Sequence, residues 1–270
     1  MITNEKYKLL KESLKAIKRG DINILTLLGS AGMGKTYTTL KDLKEEKISY
    51  EYINSYATPL SFYKLLYKNR KKDVIIFDDL MGVSNPLVLS MLKAACWVSD
   101  GKRIVSYHST SSKLDLEELP ESFEFDTNVV LIFNKPIQGY EPITNRGITI
   151  NFNFNYLEKI KIFEDLKVDA KIEEDVLDYI KLNCNDATKN LSVRTLVILS
   201  NLKRSGSDFK SFAKEILPFD EDKELLIKLS AEKWSETTGM HRATYFRYKK
   251  KYNLQELQSR TVAQSQGVTK

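Results

Sequence analysis

From residue 22 to about 154 the chain alternates short apolar runs with longer stretches of helical periodicity. The runs Ile22–Leu28, Ile48–Ile53, Val74–Phe77, Arg103–Tyr107 and Val129–Phe133 are rich in β-branched and aromatic residues. Continuous apolar runs are strands buried on both faces. Helices between them at 35–46, 59–69 and 86–98 make βαβ units around a parallel sheet of five strands. The first 21 residues, MITNEKYKLLKESLKAIKRGD, predict an amphipathic polar helix. After Asn155 the pattern is helical alone, over 156–166, 172–183, 191–203 and 208–216. Pro218 and the acidic FDEDKE segment mark a joint, and a last helical block runs from about 222 to 252. The predicted organisation is an α/β domain over 1–154, an all-α domain over 155–218, a small helical module over 219–256 and a flexible tail over 257–270.

Composition narrows the class. The 270 residues are 42% hydrophobic and 29% charged, with only eleven Gly and six Pro, which excludes collagen-like and low-complexity architecture. No apolar run approaches the roughly 18–20 residues that cross a bilayer, and the polar start is unlike a signal peptide. Two cysteines, Cys96 and Cys184, fit a reducing compartment. The expectation is a soluble cytoplasmic protein without a membrane partner. Two histidines, His108 and His241, cannot supply a His-based metal cluster. Charge is unevenly placed. The last 40 residues carry eight Lys or Arg against three acids, while the other 230 carry 34 basic and 33 acidic side chains. Nearly all of the net +6 is therefore C-terminal, as in a local polyanion-binding module.

Residues 29–36, GSAGMGKT, follow an apolar strand (INILTLL) and open a helix (TYTTLKDLKE). This is the strand–loop–helix setting of a phosphate-binding loop. Gly29 and Gly34 permit the tight path that turns several N–H groups toward one point, and the helix N-terminus adds positive potential there. The loop Gly29, Ser30, Ala31, Gly32, Met33 and Gly34, with Lys35, Thr36 and Tyr37, is the candidate nucleotide cradle. Lys35 would reach the β- and γ-phosphates, and the Thr36 hydroxyl would ligand Mg²⁺. In DVIIFDDLMG, over 73–82, four apolar residues place Asp78 at the carboxyl end of a buried strand, where nucleotide loops lie in open α/β sheets. Asp78 would hold the metal through its water shell. Asp79 would orient or deprotonate an attacking water, or else cap the segment that follows.

The order of these motifs, with Asn134 ending the strand VVLIFNKP, Arg146 a dozen residues on in YEPITNRGITINFNF, and Arg194 in NLSVRTLVILSNL, resembles the AAA+ ATPases over residues 22–205. The resemblance implies a P-loop sheet followed by a helical lid domain, with ATP and Mg²⁺ as ligands. It implies a sensor role for Asn134 beside the hydrolytic water and a cis contact from Arg194 to the nucleotide. It also implies that Arg146 acts in trans on a neighbouring subunit's γ-phosphate, in a ring or spiral of identical or related AAA+ subunits. Only nine of the 42 basic residues are Arg. A guanidinium stays charged and can bond two phosphate oxygens at once, which suits both arginine positions, although surface positions or a helix cap remain open for them. The chain departs from the family in carrying Asp78–Asp79 where Asp-Glu is usual, which implies modest hydrolysis. The general layout is similar to small AAA+ ATPases of phages and other mobile elements.

The C-terminal string AEKWSETTGMHRATYFRYKKK, over 231–251, resembles the helix-turn-helix of resolvase-like and regulator-like modules, with Gly239 at the corner. That resemblance implies a core face of Met240, Ala243 and Phe246. It turns Arg242, Thr244, Tyr245 and Arg247 to the DNA major groove, with Lys249, Lys250 and Lys251 on phosphates and His241 either capping the helix or touching phosphate. A basic, solvated helix is the plainer alternative. Cys96, Trp97, Phe62, Tyr63 and Tyr67 are expected to be packing residues, and Tyr107-His108-Ser109 a loop on the nucleotide or pore side. The expected function is a DNA-associated ATPase of phage or mobile-element replication, an initiator, helicase loader or clamp-loader-like subunit with a replication protein as partner. Two alternatives stand beside it: a DNA-binding regulator that uses ATP as an assembly switch with negligible hydrolysis, and a protein-remodelling ATPase with a C-terminal adaptor.

Overall fold

The computed structural model describes residues 2–54, 58–79, 85–107, 119–136, 139, 141–252 and 254. His108, Ser109, Leu80 to Gly82 and the tail over 257–270 lie outside the described residues. The chain divides into two compact units, Thr3–Asn153 and a helical unit from Phe154 onward.

The first unit is built on a five-stranded sheet in the order β2-β3-β6-β1-β7, with every pair parallel. The strands are β1 (Ile24–Leu28), β2 (Tyr50–Ile53), β3 (Val74–Asp78), β6 (Asn128–Phe133) and β7 (Ile148–Asn151). Helices α1 (Glu5–Arg19), α2 (Lys35–Glu45), α3 (Pro59–Asn69), α4 (Pro86–Cys96) and the single turn α5 (Glu141–Thr144) surround it. Local chemistry sets their ends. Asn4 caps α1, accepting from the Lys6 N–H at 3.0 Å, and Gly20 closes it in the left-handed region. Pro59 and Pro86 open α3 and α4 behind the caps Thr58 and Asn85. In the central strands residues of both parities are buried. Ile75, Phe77, Val129, Leu131 and Phe133 pack with Phe62, Leu66, Val88 and Leu92 of α3 and α4, and the alternate residues Val74, Ile76, Val130 and Ile132 are equally buried.

One strand differs from the sequence expectation. The run at 103–107 is not in the parallel sheet: β4 (Ile104–Ser106) pairs antiparallel with β5 (Ser122–Glu124) in a separate ribbon. Only the central residue of β4 is buried, so it needs one covered face, whereas the sheet strands need two. The fifth place goes to β7, which pairs with β1 from Leu25↔Ile148 to Leu28↔Asn151. Gly147 permits that pairing. A Cβ there would sit 2.7 Å from Ile24 Cβ and closer still to its carbonyl oxygen, on backbone that cannot swing away. We expect Gly147→Ala to prise β7 from β1 and cost about 1–3 kcal/mol, read as a lower urea midpoint at unchanged slope.

The second unit contains α6 (Tyr156–Leu166), α7 (Glu174–Asn183), α8 (Val193–Arg204), α9 (Phe209–Ile216), α10 (Glu221–Lys228), α11 (Ala231–Thr238) and α12 (Arg242–Lys251). Asn155 and Glu158 form a capping box at the start of α6. The stretch at Pro218 is pinned by backbone bonds. Lys189 N–H donates to the Pro218 carbonyl and Asp220 N–H to that of Ala187, each at 2.8 Å. Among the described residues no helix is long and apolar enough to cross a membrane.

Candidate nucleotide site

The site grows from the tip of β1. Gly29 leaves the strand with φ 148°, donating its N–H to the Phe133 carbonyl at 3.1 Å, and a Cβ on it would stand 2.6 Å from the Phe152 carbonyl carbon. Only glycine fits between that backbone and the loop. Gly32 and Gly34 are left-handed as well, and Lys35 begins α2 directly after them, so the loop's N–H groups and the helix N-terminus converge. Tyr7, from the buried face of α1, donates its phenol to the Met33 carbonyl and packs edge-on against Phe152. Burial raises the Tyr7 pKa, which keeps the phenol a donor. Ser30, Ala31 and Tyr37 are exposed around the rim, and Met33 is buried beneath.

Lys35 is only 5% exposed, and its ammonium donates to the carbonyls of Gly29 at 2.6 Å and Ser30 at 2.9 Å and to Asn134 Oδ1 at 3.1 Å. A buried cation needs such acceptors, and they hold it at the centre of the loop. Thr36 Oγ1 donates to Asp78 Oδ2 at 2.6 Å, and Tyr52 OH donates to the same oxygen at 2.9 Å. Asn54 Nδ2 in turn donates to Tyr52 OH at 3.2 Å. The Thr36 hydroxyl and the Asp78 carboxylate are hard oxygen donors, brought together at the ends of neighbouring elements, and fit Mg²⁺ shared with phosphates.

Asn134 links this cluster to the second aspartate. Its side-chain amide donates to Asp79 Oδ2, its main-chain N–H donates to Asp79 Oδ1 at 3.3 Å, and its oxygen faces Lys35. That orientation of the amide alone satisfies both charged neighbours. Asp79 sits at φ 44°, an uncommon left-handed conformation for a non-glycine residue, just past the end of β3. The turn lifts its carboxylate out of the strand into solvent beside Asn134. Lys35, Asn134 and Asp79 thus form one hydrogen-bonded set, and Thr36, Asp78 and Tyr52 a second beside it. Tyr52 and Tyr7 were not expected at this site. Nothing local marks a strand tyrosine as the partner of a carboxylate on the next strand.

Arg146 makes its contacts to other residues of the first unit. Arg146 is exposed; it donates to the Pro142 carbonyl and its guanidinium lies 4.0 Å above the Trp97 ring. Trp97, expected in the core, is 51% exposed because α4 ends at Cys96 and the chain turns outward there, leaving Cys96 buried. Arg194 is exposed in the first turn of α8, whose cap is Ser192.

At the C-terminus, Gly239 (φ 69°) separates α11 from α12, and His241 caps α12, accepting from Ala243 N–H at 3.2 Å. The expected faces of α12 are rotated. Tyr245 is 3% exposed, packs against Trp234 and donates to the Leu229 carbonyl at 2.9 Å, while Phe246 is 58% exposed and Met240 and Ala243 also face solvent. The phenol has a partner inside, so tyrosine can fill the core position that the apolar residues were expected to take. Tyr245 therefore leaves the candidate DNA-contacting set. The outward residues of α12 are Arg242, Ala243, Phe246, Arg247, Lys250 and Lys251. Thr244 and Lys249 are half-buried, with Lys249 over the Tyr245 ring at 4.8 Å. Arg242 pairs with Glu232 at 2.5 Å.

No model of a known protein family matches the sequence. An uncharacterized 36.7 kDa protein from the nrdC–mobD intergenic region of Enterobacteria phage T4 is 26% identical over 225 residues, covering 73% of this chain and 69% of the phage protein. Among solved structures, RuvB of Thermotoga maritima, described as a Holliday junction branch migration motor, matches with a TM-score of 0.52 at 16% identity over 94% of this chain and 87% of RuvB. A point variant of that motor gives the same values. With its parallel sheet, loop-borne lysine and following helices, the chain has the fold of RuvB.

Proposed function

We propose that this chain is a DNA-associated AAA+ ATPase that assembles with ATP and couples its hydrolysis to the remodelling of DNA or of a protein partner, in phage or mobile-element DNA replication in the cytoplasm. The observation that carries the reading is the connected set Lys35–Asn134–Asp79 beside the Thr36–Asp78 pair. It puts a buried cation, two metal-fitting oxygens and a carboxylate–amide pair at one edge of the sheet. Mg²⁺ held by Thr36 and Asp78 would neutralise phosphate charge. Lys35 would bind the β- and γ-phosphates, and Asp79 with Asn134 would hold and orient a water for in-line attack. Arg146 would complete the site of an adjoining subunit, and Arg194 would contact the nucleotide in cis. The basic outward face of α12 supports DNA as the polyanion, through a helix-turn-helix formed by α11 and α12. The RuvB fold and the phage relative agree with that setting.

Phosphate release measured with and without duplex DNA tests this. The expected result is a DNA-stimulated rate that disappears as salt is raised, since phosphate contacts release counterions. A rate indifferent to DNA overturns the coupling. The second reading, an ATP-switched DNA-binding regulator with negligible hydrolysis, is favoured by one feature: the short Asp79 side chain is engaged by Asn134 at both oxygens. ATP-dependent DNA affinity without phosphate release would decide for it.

A further inference from the structure

The stack of Arg146 on Trp97 has no counterpart in the sequence reading, and its geometry is informative. The Arg146 guanidinium carbon lies over the Trp97 ring, 4.0 Å from its centre, so the indole covers one side of the group while N–H donors remain available to an oxyanion. Here one nitrogen is engaged by the Pro142 carbonyl, and the contact with the ring limits where the others can point. The pair borders an open cavity of about 380 Å³ whose remaining walls include Ala94, Ile104 and the lysines Lys93 and Lys102. The Trp97 main chain is held at the end of α4, where its backbone N–H donates to the Ala94 carbonyl at 3.2 Å. A long, exposed side chain ordinarily samples many rotamers, and ordering it costs entropy when it must reach a distant phosphate.

We propose that Trp97 is the positioning residue of Arg146, a flat shelf that holds the guanidinium extended with its donor edge free for the γ-phosphate carried by an adjoining copy of the chain. This rests on the trans role given to Arg146 above. Trp97 touches no nucleotide; it acts through the arginine. Removing the ring leaves Arg146 charged but unheld, so the loss falls on turnover and not on the site that binds ATP.

The test joins kinetics with fluorescence on the full chain. Trp97→Ala lowers kcat about 5–10-fold with KM for ATP unchanged, and Trp97→Phe restores most of it because a smaller ring still stacks. In the Arg146→Ala background, Trp97→Ala has no further effect. Independently of activity, the chain has two tryptophans, Trp97 and Trp234, and Trp234 is buried, so Trp234→Phe isolates the emission of Trp97. In that background Arg146→Ala is expected to raise quenching of Trp97 by neutral acrylamide by about twofold as the ring is uncovered, without nucleotide. Equal quenching in the two proteins overturns the stack, and native kcat in Trp97→Ala overturns its role. If Arg146→Ala itself hydrolyses ATP at the native rate, the trans role falls and the positioning role with it, a result distinct from the other two.

Discussion

Lys35→Ala is expected to abolish nucleotide binding and to lower phosphate release by at least about 10²–10³-fold, the scale on which removing one preorganised charge donor is felt. The ammonium is almost fully buried, and its three acceptors are two loop carbonyls and the Asn134 amide oxygen. The apo protein should stay folded, because the substitution removes the desolvation cost of the charge together with its hydrogen bonds. Binding and folding can therefore be separated by thermal unfolding. A ligand at 100 times its Kd stabilises the native protein by about 2.7 kcal/mol, and the variant should show no such shift at any ATP concentration used. Lys35→Arg should not rescue, since a planar guanidinium does not fit the space of a compact ammonium bonded to adjacent carbonyls. An ATP-induced shift of native size in Lys35→Ala would remove the phosphate loop from the site.

The parts of this site that were legible in the sequence are those whose chemistry writes itself locally. Gly29 and Gly34 are demanded by backbone that passes Phe152 and by left-handed turns, and the strand–loop–helix order fixes Lys35 and Thr36 relative to them. Asp78 followed from four preceding apolar residues, since a buried parallel strand delivers its last residue to the same sheet edge. The sheet was legible except at β4 and β7, each too short for periodicity to separate a strand covered on one face from one covered on both. Tyr52 on Asp78, Tyr7 under Met33 and Trp97 beneath Arg146 were not legible, because contacts across the fold leave no repeat in the chain. The faces of α12 were ambiguous for another reason. Tyr245, Phe246 and Tyr248 put aromatic rings on more than one side, and the inward choice was settled by Trp234 and by a hydrogen-bond partner for the phenol, neither of them on that helix.

Arg146→Ala is expected to leave ATP affinity within about twofold of native while lowering turnover on the order of 10³-fold, the usual worth of an arginine supplied to a phosphoryl-transfer site. Affinity is spared because every contact seen for Arg146 in the chain, to Pro142 and Trp97, is remote from the hydrogen bonds that hold the phosphate loop. Such a result alone does not distinguish a residue acting in trans from one acting within its own subunit. Mixing does. A Lys35→Ala subunit has an intact Arg146 and no nucleotide, and an Arg146→Ala subunit has nucleotide and no arginine. In a head-to-tail assembly the first completes the site of the second, and roughly a quarter of the interfaces in a random equal mixture are of that kind. Two inactive proteins should therefore regain up to about a quarter of native turnover when combined, with a rate that climbs steeply with total protein concentration because assembly limits it. A mixture no more active than its components, under conditions where native turnover rises with concentration, would mean that no subunit lends its arginine to another.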